Sequence, residues 1–142
     1  MMRFDNYHNQ NHKREAPLTL TTIILLVLAL YVVQIFLQET SRYHFNLRQI
    51  LGTRDQRPER SLVAARLDRA KNNMIEALPL FLGLALLAMV RGVQDHVTGA
   101  ATVFLVARTL YVPIYAAGIP VLRSLAWLTA MGAMLVMALA LV

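Results

Sequence analysis

Four long apolar stretches divide the chain, and each is long enough to cross a membrane as a helix. At 1.5 Å per residue, about 20 helical residues cross a hydrocarbon core of roughly 30 Å. The stretches are continuously rich in Leu and Ala and lack the alternating polarity of membrane β-strands. The sequence therefore predicts an all-α membrane protein, a four-transmembrane-helix bundle with helices over residues 18–37, 62–90, 97–117 and 121–142.

The second helix is expected to begin outside the membrane and to enter it part of the way along. Ser61 is a suitable N-cap, no breaker follows it before Pro79, and the continuous apolar run starts only at Met74. Because Pro79 has no N–H to donate to the carbonyl of Ile75, it should kink this helix beside Glu76. A polar segment thus runs directly into a membrane span.

The chain organisation is simple: a polar tail over residues 1–17, then one membrane domain over residues 18–142. The tail shows no hydrophobic periodicity. Lys13 and Arg14 precede the first apolar run, as in a secretion signal, but the apolar core of a signal is usually about 7–15 residues. The longer run here predicts an anchor that is retained.

Basic residues are unevenly distributed along the chain. The net charge is +6, and eight of the 14 Lys and Arg residues lie between positions 39 and 73. By the positive-inside rule, the segment 39–73 should be cytoplasmic and both termini should face the other side, across the inner membrane in a bacterium. Because this excess is explained by topology, we expect no nucleic-acid partner.

The chain contains no cysteine. This excludes disulfides, thiolate metal sites and a protein thiol nucleophile. His8 and His12 in the tail are four residues apart, but nothing else nearby completes a ligand set, so no metal site is predicted. Any sulfur chemistry must arrive with a ligand.

Two helices carry polar side chains along one face. Steps of three or four residues bring side chains to the same side of a helix. On the second helix these residues are Arg66, Arg69, Asn73 and Glu76, and on the third they are Arg108, Tyr111 and Tyr115. Two polar faces inside membrane segments indicate one shared site.

Arg108 is the most costly of these residues to bury, since it lies about 15 Å from either end of its helix. An arginine at this depth must be paired or must line a cavity. A structural ion pair with Glu76 or Asp68 and a ligand site are both consistent with the sequence.

Arg123 and Ser124 open the fourth helix directly after a turn marked by Gly118 and Pro120. The positive end of a helix next to an arginine favours an anion, although Arg123 could instead reach lipid headgroups. Arginines suit carboxylates, and Glu76 suits an amino group. A small, hydrophilic, zwitterionic ligand is implied.

The two motifs resemble the MAPEG proteins, membrane-associated proteins in eicosanoid and glutathione metabolism that include microsomal glutathione transferases and microsomal prostaglandin E synthase. The first motif, R-A-x-x-N-x-x-E, is formed by Arg69, Ala70, Asn73 and Glu76. The second, R-x-x-Y-x-x-x-Y followed by R-S, is formed by Arg108, Tyr111, Tyr115, Arg123 and Ser124. Asn72 stands where some relatives have arginine, and Trp127 stands where some have an aromatic hydroxyl.

The resemblance implies a homotrimer that binds glutathione as co-substrate between subunits and conjugates it to lipophilic electrophiles, or reduces peroxides. Glutathione would be bound by Arg69, Asn73, Glu76, Arg108, Tyr111 and Tyr115, with Arg123 and Ser124 near its sulfur. A cation or donor there lowers the thiol pKa from about 8.5. Arg123 is the candidate for this role, with Ser124 or Tyr115 as alternative donors.

A second hypothesis is a non-catalytic four-helix membrane protein with a lipid-binding or transport role. It differs from the enzyme hypothesis in predicting neither glutathione binding nor thiolate formation. One transport class is disfavoured, because a small proton-coupled exporter needs a buried carboxylate in its first span. The first helix carries no charge between residues 18 and 37.

Overall fold

The structure, a computed structural model, describes residues 18–43, 46 and 61–142. Within these residues the chain forms four α-helices: α1 (Leu20–Arg42), α2 (Leu62–Val90), α3 (Gln94–Ala117) and α4 (Pro120–Leu139). All four are long and apolar enough to cross a membrane. The predicted all-α membrane bundle is confirmed, while the tail 1–17 and most of the basic loop lie outside the described residues.

The helix ends differ from those expected from the apolar runs. Helix α1 continues past residue 37 to Arg42, α3 begins at Gln94 rather than at 97, and α4 ends at Leu139. A helix does not stop where the hydrocarbon stops, because its backbone hydrogen bonds are internal and polar side chains can extend it into the headgroup region. Apolar runs therefore locate spans better than they locate helix ends.

The helices pack as an antiparallel α3–α4 hairpin beside α1 and α2. Helix α1 contacts α2 and α3, whereas α4 packs mainly on α3 and only slightly on α2. In the core, the rings of Phe81 and Phe104 stack with centroids 4.4 Å apart. Fully buried alanines, among them Ala85 and Ala101, let the helices approach closely around this stack.

A polar contact joins α1 to α2 outside the apolar core. Lys71 donates to Gln38 Oε1 and to Asp68 Oδ1, each at 3.2 Å. Because Gln38 is buried, this hydrogen bond satisfies an acceptor that would otherwise be costly in the interior.

The N-cap predicted at the start of α2 and the turn predicted between α3 and α4 are both confirmed. Ser61 caps α2 by accepting a hydrogen bond from the Ala64 N–H at 3.1 Å. The α3–α4 turn is made by Gly118, whose φ of 77° is a left-handed conformation that favours glycine. Pro120 then occupies the first turn of α4, where its missing N–H is not needed.

Candidate functional site

Arg108 lies at the centre of the polar faces on α2 and α3. Its side chain is only 1% exposed, and it donates from Nη1 to Asn73 Oδ1 at 2.5 Å. The guanidinium carbon lies 5.4 Å from the Phe104 ring centroid and 5.6 Å from that of Tyr111. Its Nε and Nη2 have no hydrogen-bond partner among the described residues. Buried donors without a partner are rare in native proteins, which makes this guanidinium a candidate for ligand binding.

The carboxylate pair that sequence reasoning offered for Arg108 does not form. Asp68 accepts from Lys71 instead, and the described structure shows no ion pair between Arg108 and Glu76. Helix geometry explains the choice of Asn73. A step of three residues falls about 60° short of a full turn, so Asn73 points at α3 while Glu76, one turn later, stays exposed.

A cavity of about 430 Å³ opens beside Asn73, between α2 and the α3–α4 hairpin. Its volume falls within the usual range for small-molecule sites, about 300–1,000 Å³. It is lined by Asn73, Tyr111, Tyr115, Arg123, Ser124, Trp127 and Leu128. Three helices thus contribute polar side chains to one concave surface.

Tyr115 lies between two arginines at this cavity. The Arg123 guanidinium carbon is 4.8 Å from the Tyr115 ring centroid, and that of Arg69 is 6.0 Å away on the side of α2. Tyr111 meets Tyr115 edge to face, with centroids 5.3 Å apart. The tyrosine rings therefore hold guanidinium groups by cation–π contacts and concentrate positive charge that suits carboxylates.

A smaller cavity of about 170 Å³ adjoins the larger one. The two share Asn73 and Trp127. The smaller cavity is lined by Asn73, Glu76, Ala77, Leu80, Arg108, Trp127 and Met131. The smaller cavity thus contains the Glu76 carboxylate and the buried Arg108 guanidinium, whereas Arg123 lines the larger cavity. Asn73 and Trp127 lie between the two groups, because they line both cavities.

The residues predicted for the site are brought to one region, but not all of them line a cavity. Arg69 is exposed and reaches the region only through its contact with Tyr115. Ser124 lines the larger cavity, yet its hydroxyl donates to the Pro120 carbonyl at 3.0 Å. In this rotamer the Ser124 oxygen is an acceptor, so donation to a ligand requires rotation about its side chain.

Sequence reasoning missed part of the apolar lining. The sequence comparison singles out Trp127 only because it lacks a hydroxyl, yet Trp127 lines both cavities, and Met131 lines the smaller one. The signal was available, because positions 123, 127 and 131 recur every four residues and so lie on one face of α4. Among the described residues there is no cluster of three or more His, Asp or Glu side chains that could hold a metal ion.

Comparison with known proteins identifies the family of this chain. The profile of the MAPEG family matches residues 15–142, nearly the whole chain. No curated protein and no solved structure matches significantly. The matched region contains all four helices and both cavities.

Proposed function

Since the chain belongs to the MAPEG family, whose members act in glutathione and eicosanoid metabolism, we propose that it is a membrane-embedded glutathione transferase. The observation that carries this proposal is the group of arginines around the two adjoining cavities. Arg123 lines the larger cavity, and buried Arg108, two of whose nitrogens have no partner among the described residues, lines the smaller one. Glutathione has two carboxylates, an amino group, amides and a thiol. The two cavities, with Arg69 beside them, together offer complementary groups for these.

The binding roles follow from the contacts that each side chain already makes. Arg69 is exposed beside Tyr115 and would bind a carboxylate of glutathione. Asn73 uses its Oδ1 for Arg108, so its Nδ2 remains to donate to a carbonyl or carboxylate of the ligand. Glu76, which accepts no hydrogen bond from the described residues, would bind the amino group.

The proposed chemistry is thiolate stabilisation at Arg123. A guanidinium near sulfur favours the anion, so the thiol loses its proton to solvent at lower pH than free glutathione does. The thiolate then forms a bond to an electrophilic carbon of a lipophilic halide, and halide leaves with the electron pair of the broken bond. Tyr115 and Ser124 are the neighbouring hydroxyls that could hydrogen-bond the sulfur.

We also propose a homotrimer: the exposed polar face supports assembly with further copies of the chain, and the number of three is what membership of the MAPEG family implies. Arg69, Glu76 and Ser124 are exposed on the single chain, although they lie within or next to membrane-spanning helices. Charged groups at this depth are costly against lipid and are normally covered by protein. A neighbouring copy of the chain is the proposed cover, and the site would then lie between subunits.

We also propose that this end of the bundle is cytoplasmic. Helix α2 begins here at Leu62, within the basic segment 39–73, and the α3–α4 turn lies at the same end. The positive-inside rule then assigns both termini to the opposite side. This orientation opens the site toward the cytosolic glutathione pool, in the inner membrane if the cell is bacterial.

Glutathione binding can be followed directly, because Trp127 is the one tryptophan in the chain and lines both cavities. Purified protein should show a saturable change in Trp127 fluorescence with glutathione and should conjugate glutathione to a lipophilic aryl halide. Glu76→Gln removes the charge proposed to bind the amino group and should raise the dissociation constant about tenfold or more, since a charge-assisted contact contributes about 1.5–3 kcal/mol.

Asp95→Asn is the matched control, because Asp95 is an exposed carboxylate at the start of α3, at the other end of the bundle. This variant should bind glutathione as the unmutated protein does. If the unmutated protein neither binds nor conjugates glutathione, the enzyme proposal is wrong and the non-catalytic role in lipid binding or transport becomes the better account.

A further inference from the structure

Arg66 makes a contact that none of the roles above uses. From the first turns of α2 it reaches across to the α3–α4 turn, where its Nη1 donates to the Ala116 carbonyl at 3.1 Å. Its guanidinium covers Gly118, since a Cβ built on that glycine would overlap the guanidinium carbon and both terminal nitrogens. The Arg66 guanidinium therefore occupies the space in which any residue other than glycine at position 118 would place its Cβ.

The chemistry of a helix end explains why an arginine is favoured here. The last four carbonyls of an α-helix lack partners within the helix. The Gly118 N–H bonds the Tyr115 carbonyl at 3.0 Å and the Ile119 N–H bonds the Ile114 carbonyl at 3.3 Å, the pattern of a Schellman motif. Ala116 lies outside that pattern, and Arg66 supplies both its donor and a positive charge at the negative helix end.

We infer that Arg66 is a positioning residue for the candidate site, acting through the α3–α4 turn. Helix α4 starts two residues after Gly118 and contacts α2 only slightly along its length. Arg123 lies in its first turn, where its N–H bonds the Ile119 carbonyl at 3.1 Å, and Trp127 follows one turn later. The Arg66 contact is a direct hydrogen bond from α2 to the last turn of α3, immediately before the turn that leads into α4.

The hydrogen bond between Arg66 and Ala116 sets the distance between the α2 wall and the α4 wall of the larger cavity. Asn73 forms its α2 wall and Arg123 and Trp127 form its α4 wall. Without Arg66, the turn keeps its internal Schellman bonds but loses this hydrogen bond to α2, so the α4 wall can shift relative to Asn73. The part of the inference that concerns glutathione rests on the proposed function.

The positioning role is tested first without ligand, through Trp127. Arg66→Ala should shift the Trp127 emission to longer wavelength and raise its quenching by acrylamide. Gly118→Ala should do the same, because the new methyl group displaces the guanidinium and alanine also strains the left-handed backbone of the turn. Arg66→Lys keeps a charged donor and should restore emission partly. An unchanged Trp127 signal in both Arg66→Ala and Gly118→Ala would overturn the inference.

Arg91→Ala is the matched control. Arg91 also donates from Nη1 to a backbone carbonyl, that of Leu141, but at the opposite end of α2. Arg91→Ala should lower the free energy of unfolding by about as much as Arg66→Ala does, and it should leave the Trp127 signal unchanged. If Arg91→Ala and Arg66→Ala change that signal equally, the effect is general loosening of the bundle and the inference is wrong.

Glutathione titration then separates this inference from the proposed function. If the unmutated protein binds glutathione, Arg66→Ala should raise the dissociation constant about 3- to 10-fold, roughly the loss of one well-placed polar contact. Arg91→Ala should not raise it. Absence of binding in the unmutated protein contradicts the proposed function alone, because the ligand-free fluorescence comparison still decides the role of Arg66.

Discussion

Asn73→Leu is expected to destabilise the protein strongly, because it removes the hydrogen-bond acceptor that Arg108 uses. The Arg108 side chain is 1% exposed, and its other two nitrogens already lack partners among the described residues. A hydrogen bond to a charged group contributes about 1.5–3 kcal/mol, and leaving a buried charge unpaired costs about 3–5 kcal/mol. We therefore expect a loss of about 2–4 kcal/mol in the free energy of unfolding.

The double variant Asn73→Leu with Arg108→Met should be more stable than Asn73→Leu alone. Replacing both partners with apolar side chains of similar size removes the stranded charge and can be nearly neutral. The mutant cycle should therefore give a coupling energy of about 1.5–3 kcal/mol between the two positions. That energy measures the pairing of Arg108 with Asn73 rather than the general importance of either residue.

Equilibrium unfolding in mixed detergent micelles, followed by far-ultraviolet circular dichroism, measures all four members of the cycle. Asn72→Leu is the control, since Asn72 is the exposed neighbour of Asn73 and makes no described contact with Arg108. Equal stability of Asn73→Leu and Asn72→Leu would refute the reasoning. So would a double variant that is less stable than Asn73→Leu alone.

Two further predictions concern the ends and contacts of the helices. Ser61→Ala should lower the free energy of unfolding by about 1 kcal/mol, because the Ala64 N–H loses its cap; an unchanged midpoint in the same unfolding assay would contradict this. Lys71→Ala should cost about 1–2 kcal/mol, because buried Gln38 loses the donor at 3.2 Å; Lys71→Ala combined with Gln38→Leu should recover part of that loss.

Much of the fold could be predicted because it depends on local properties of the chain. Apolar runs of membrane length identify the spans, and Ser61 and Gly118 mark a helix start and a helix end by their own backbone chemistry. The same periodicity placed Arg69, Asn73 and Glu76 on one side of α2. What periodicity left open was the rotation of each helix against its neighbours.

That rotation decides which polar side chain meets Arg108. Stacking of Phe81 on Phe104 brings α2 and α3 together at one rotation, and at that rotation Asn73 hydrogen-bonds the arginine, while Glu76 lines the same small cavity without an ion pair to it. The reach of Arg66 to Ala116 is equally non-local, since the two are 50 residues apart. Contacts of this kind depend on tertiary packing. The sequence pattern therefore identifies the polar residues that face the site, but it does not show which of them contact each other.

The central claim is that the larger cavity holds glutathione as a thiolate next to Arg123. Its most direct test is the ultraviolet difference absorbance of the thiolate when glutathione is added to purified protein across a range of pH. Because a nearby cation stabilises the anion, thiolate should form at neutral pH, below the pKa of about 8.5 of an ordinary thiol. Arg123→Ala should move that titration to higher pH, whereas no thiolate at neutral pH in the unmutated protein would contradict the account.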